Sequence, residues 1–109
     1  MPGPADISRG NIALSMMLGV ALSPAAVGAN TTAEQTFTVS GLLPGDEVQV
    51  SKPTTQAGLG IVNARVSAAN TLAITFSNNT GGGITPTAGE TYVVAVNRPT
   101  NLPLPSAIV

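Results

Sequence analysis

Between Asn70 and Asn78 the large apolar side chains recur at every second position, as Leu72, Ile74 and Phe76, with Thr71, Ala73, Thr75 and Ser77 between them. A period of two puts those three on one face of a strand, and β-branched Thr71 and Thr75 suit the same pleated backbone. Both ends are marked. Asn70 tolerates the left-handed turn conformation, and Asn78-Asn-Thr-Gly-Gly-Gly83 cannot continue regular structure. The segment predicts a central strand, and from about Ala33 onward the rest of the chain reads as strands built to pair with it.

Glu34 to Val39 alternates Phe37 and Val39 with Thr36 and Thr38, which makes it the first strand of a compact domain. Leu43-Pro-Gly-Asp46 is a turn. Pro44 presets φ at its first central position and Gly45 supplies the positive φ of the second, which is type II geometry. Val48 and Val50 follow as a strand that ends at Lys52-Pro53, because proline cannot donate to a ladder. Ile61 to Ser67 predicts a strand with Val62, Ala64 and Val66 inward and Asn63, Arg65 and Ser67 outward. Ala68-Ala-Asn70 is short enough to join it to the central strand as a hairpin. The last strand, Glu90 to Arg98, carries Tyr92, Val94 and Val96 on one side and Val93 and Ala95 on the other, so both its faces are expected to be covered, one by the core and the other by a neighbouring subunit or the arm. The fold class that follows is all-β, a small antiparallel β-sandwich of six or seven strands.

Two segments flank this domain. Met1-Pro-Gly-Pro4 reads as a flexible lead. Ile12, Leu14, Met16, Leu18, Val20 and Leu22 then alternate with small residues, with Met17 the one large residue on the small side. That period again predicts extended chain, roughly 36 Å long at about 3.3 Å per residue. Two readings stand: an arm that binds a neighbouring subunit through these six residues, or an edge strand of the same domain. The same uncharged run, between Arg9 and Val27-Gly-Ala29, also imitates a signal peptide cleaved after Ala29. Pro24 stops it short of the roughly 20 residues of a membrane span, so no membrane partner is expected. At the other end Pro99, Pro103 and Pro105 with Leu102, Leu104 and Ile108 predict an extended apolar tail that lies along a partner. The organisation expected is therefore an arm and linker over residues 1–32, the sandwich over 33–98 and the tail over 99–109.

Only 8% of the 109 residues are charged, against roughly 25% in a typical soluble domain, while 43% are hydrophobic. A surface so poor in charge suits a homo-oligomer or an assembled particle better than a free monomer. The net charge is −1 with four Lys and Arg in all, too few for the phosphate contacts of a nucleic-acid binder. The absence of Cys, His and Trp removes thiolate chemistry and imidazole metal sites, so no cofactor, metal or catalytic residue is expected. Asp46 and Glu47 are adjacent carboxylates, which a strand points to opposite faces; Asp46 reads as a turn cap and Glu47 as a solvated group. Gly81-Gly-Gly83 lacks the lysine of a phosphate loop and reads as a flexible tip. Asn30-Thr-Thr32 and Asn78-Asn-Thr80 fit the glycosylation pattern. Lys52, Arg65 and Arg98 read as single exposed cations facing water.

Taken together and in order, Glu34-Gln-Thr-Phe-Thr-Val39, Gly41-Leu-Leu-Pro-Gly-Asp-Glu-Val48, Ala57-Gly-Leu-Gly-Ile61, Ala64-Arg-Val-Ser-Ala68, Thr71-Leu-Ala-Ile-Thr-Phe-Ser-Asn78 and Thr91-Tyr-Val-Val-Ala-Val96 resemble the small β-rich structural proteins in the virions of tailed bacteriophages. The resemblance implies a capsid decoration, or cement, protein: a jelly-roll or immunoglobulin-like sandwich, trimeric, without catalytic residues. Such a protein sits on the outer surface of the capsid and stabilises it by binding the major capsid protein, with terminal arms that embrace neighbours. The other functions weighed are a phage fibre or receptor-binding module, presenting the tips at Asn78 to Thr80, and a secreted bacterial surface protein.

Overall fold

The computed structural model describes residues 10–108; the Met1–Pro4 lead, Arg9 and the last residue of the tail lie outside them. The described residues form six strands and no helix: β1 (Ile12–Leu22), β2 (Thr31–Thr38), β3 (Glu47–Ser51), β4 (Leu59–Ala68), β5 (Thr71–Asn78) and β6 (Glu90–Pro99). They make two antiparallel sheets, ordered β1-β6-β3 and β2-β5-β4. The sheets pack face to face as a small sandwich, with one strand fewer than the seven of an immunoglobulin domain and two fewer than a jelly roll. Only β4 and β5 are joined as a hairpin; every other connection passes from one sheet to the other.

β5 is central, as its alternation predicts, paired with β2 on one side and β4 on the other. Leu72, Ile74 and Phe76 are fully buried, facing a core completed by Val48 of β3 and by Tyr92, Val94 and Val96 of β6. Burial of each such side chain contributes about 1.5 to 3 kcal/mol relative to exposure. The hairpin turns at Ala69-Asn70 with Asn70 at φ 60°. The Leu43–Asp46 turn has the expected form: the Asp46 N–H donates to the Leu43 carbonyl at 3.0 Å, and Gly45 takes φ 95°.

Three expectations are corrected. Val62 does not point inward. A bulge lies between Ile61, which pairs with Phe76, and Asn63, which pairs with Thr75. The extra residue is Val62, 60% exposed, and Ile61 takes the inward place. Next, residues 12–22 are not set apart from the compact unit. β1 pairs with β6 from Ile12–Pro99 to Leu22–Glu90, so the sandwich begins at Ile12 rather than Ala33. The linker after it also contributes, since Val27 is buried and forms an isolated antiparallel bridge with Ile84. Finally, the outer face of β6 is not covered by residues 12–22. The β1 segment lies beside it rather than over it, which leaves Val93 exposed and Ala95 half-buried on the outer side.

Candidate interaction surface

The charged side chains of the described residues are used within the chain. Arg98 on β6 reaches the loop between β2 and β3, where its Nε and Nη2 each donate to an Asp46 carboxylate oxygen at 2.8 Å and Nη2 also donates to the Gly41 carbonyl at 2.7 Å. Asp46 Oδ2 in turn accepts the Leu43 N–H at 2.9 Å and closes the turn. Hydrogen bonding to Arg98 holds the Asp46 carboxyl below its ordinary pKa against the opposing effect of its burial. Arg65 on β4 holds Glu34 on β2 in a two-point pair at 2.8 and 2.9 Å. Glu34 is in register with Thr75 and Arg65 with Ala73, so this link passes over the outer face of β5, and Ala73 is fully buried there. Lys52, just past β3, sits 2.8 Å from Glu90 at the start of β6, and Thr54 bonds both. Lys52, Arg65 and Arg98 therefore all face carboxylates of their own chain, which corrects the reading of them as solvated. Spacing along the chain could not show this, because each pair joins residues more than 30 positions apart. Glu47 is exposed as expected and accepts from Asn97 Nδ2 at 3.1 Å.

Exposed apolar surface is what remains. Of the six β1 residues read as partner-binding, Leu14, Leu18, Val20 and Leu22 belong to the protein's own core, because the in-register partners of Leu18 and Val20 are Val94 and Tyr92. Met16 is exposed, and on the outer face so are Ile12, turned there by a bulge before Leu14, and Met17, which is 72% exposed. The tail residues Leu102, Leu104 and Ile108 are all exposed. The tail begins by folding back over the Leu43–Asp46 turn. Leu102 lies so close to Gly45 that a Cβ there would stand 2.5 Å from its Cδ1. Leu104 and Pro105 share a shallow groove with Ile12, and the Thr100 N–H donates to the Asn11 carbonyl at 2.7 Å. Ile12, Leu43, Leu102 and Leu104 thus gather at the end of the sandwich where the described chain starts and finishes.

Polar chemistry at the other end is structural. Asn78 is buried, and its Nδ2 donates to the carbonyls of Val27 and Gly82 at 3.0 and 2.8 Å while its Oδ1 accepts from the Thr80 N–H and hydroxyl. The amide is therefore engaged and unavailable as a glycan acceptor, and it organises the glycine-rich loop that the sequence presents as a free tip. Asn30 is exposed at φ 49°. Among the described residues no three His, Cys, Asp or Glu side chains lie close enough to hold a metal ion. The Tyr92 hydroxyl is buried with no hydrogen-bond partner among the described residues, and desolvation, assisted by the charge of Glu90, raises its pKa. No known protein family, curated protein or solved structure matches this chain.

Proposed function

We propose that this chain is a structural protein of the capsid-decoration type, binding the outer surface of a tailed-phage shell through apolar contacts and performing no chemistry of its own. The observation that supports this reading is the division of its side chains. The cations of the described residues are bound internally, and large apolar side chains are left exposed along β1 and the tail. A surface of that kind gains by burial against the major capsid protein, at about 25 cal/mol for each Å² of apolar area removed from water, partly offset by the ordering of the tail. Repetition around a symmetric shell multiplies a small gain per copy. The trimer belongs to this proposal only through the sequence resemblance.

Quantitative mass spectrometry of purified particles tests it. A ratio to the shell protein of one, or a simple fraction of one, is the expected result; a few copies per particle would indicate a fibre or tail part, and absence would sink the proposal. Particles stripped of the protein should also rupture at lower temperature than intact ones.

A further inference from the structure

We propose that the free edge of β1 pairs antiparallel with β1 of a second copy of this chain, about a two-fold axis at Met17. The inference rests on how the sheet edges are finished and stands apart from the virion reading. Among the described residues two three-stranded sheets leave four edge strands, and an unprotected edge is a template for another strand. Three of the four are guarded. β2 carries the Glu34–Arg65 pair, and the Gln35 side chain holds both the N–H and the carbonyl of Ala25. β3 is five residues long, starts at Glu47 and is followed by Pro53. β4 carries Arg65 and has register shifts at Val62 and Ser67. β1 beyond Leu14 has no charge, no proline and no bulge.

The composition of that edge selects its own copy. With no charged side chain on β1, nothing repels an identical strand, and nothing attracts a partner of either charge. An axis at Met17 sets Leu14–Val20 of one copy against the same residues of the other, Leu14 opposite Val20 and Met16 opposite Leu18, and the bulge between Ile12 and Leu14 ends the regular register there. Within that stretch even positions meet even positions, so core-side residues meet core-side residues and the two sheets continue as one of six strands. Met17, the single large residue of the outer side, then faces its own copy, with Ser15 and Gly19 as diagonal neighbours small enough to leave it room. The exposed Met16 and Met17 are both covered.

The size of the seam sets the strength. Seven paired residues make a seam of roughly 23 Å, and a sheet about 10 Å thick gives roughly 230 Å² per copy, or about 460 Å² in total. That is below the roughly 1,200 Å² at which stable interfaces begin, so the dimer is weak and reversible.

Sedimentation velocity of the full chain from about 1 to about 200 µM, where weak reversible association is read, is the first experiment. The expected result is a monomer passing into a dimer, with Met17→Lys monomeric throughout and its melting temperature unchanged. Because the chain has no cysteine, single substitutions read the axis directly. Met17→Cys should cross-link under mild oxidation at least about tenfold faster than Ser15→Cys or Ala21→Cys, whose copies lie beyond the roughly 7 Å Cα separation that a disulfide can span. A chain monomeric at the highest concentration, a trimer indifferent to Met17→Lys, or equal cross-linking at all three positions would overturn the pairing; the indifferent trimer would leave the decoration reading intact.

Discussion

Asp46 shows how much a single side chain carries here. Its two oxygens close the Leu43–Asp46 turn and anchor Arg98, and the side chain is almost wholly buried. Asp46→Ala leaves the guanidinium without its partner and opens the turn, and should cost about 2 to 4 kcal/mol in urea unfolding. Acid acts on the same bonds. Asp46, Glu34 and Glu90 are all held below their ordinary values of 3.8 and 4.5, chiefly by hydrogen bonds to Arg98, Arg65 and Lys52. A depressed folded-state pKa means that the unfolded chain takes up protons first. The stabilisation is therefore complete above about pH 5 and is lost as the pH falls through the unfolded values near 4 and then through the folded ones. Urea midpoints measured from pH 7 to pH 2 should be flat and then fall, and Asp46→Asn should flatten part of the fall. Tyr92 gives the opposite expectation. Its hydroxyl is buried without a partner, so Tyr92→Phe removes a desolvation cost and should raise stability by about 0.5 to 1 kcal/mol in the same assay.

At the level of strands, period two was enough to locate every element, because one face of each is buried and a strand has only two faces. The central position of β5, the hairpin at Asn70 and the type II turn at Gly45 were all legible in this way. Irregularities were not. Val62 satisfies the alternation with Ala64 and Val66 and Ile61 does not, and only the pairing of Ile61 with Phe76 shows that the bulge expels Val62. Ile61→Ala should accordingly cost about 2 kcal/mol of unfolding free energy, whereas Val62→Thr should stay within about 0.5 kcal/mol. The ion pairs and the Asn78 network were illegible for a related reason. They join positions that are distant in sequence and become neighbours only when the two sheets are stacked. The status of β1 was an open choice, since alternation specifies a strand and says nothing about what it pairs with.

For the molecule as a whole, the pairing of β1 with β6 decides where the fold begins. A chain starting at Thr31 would lack the strand that flanks Tyr92 and Val94 and the buried Leu22 and Val27, and should show no cooperative thermal transition by circular dichroism. A sharp transition in that truncation would mean that the sandwich needs only five strands and would return β1 to the status of an arm. It would also revive cleavage after Ala29, which in the folded chain removes an edge of the core. The described molecule is long for its size, with extents of 60 × 25 × 23 Å and a radius of gyration of 16.8 Å against about 13 Å for a compact chain of this length. The same pairing has a consequence in time. β1 leaves the ribosome first and β6 last, with the whole of residues 23–89 made between them. At about 5 to 20 residues per second, β1 waits roughly 3 to 14 seconds for its partner. During synthesis a strand with no charged residue is therefore the one unpaired for longest, and neighbouring nascent chains on one message meet first through β1.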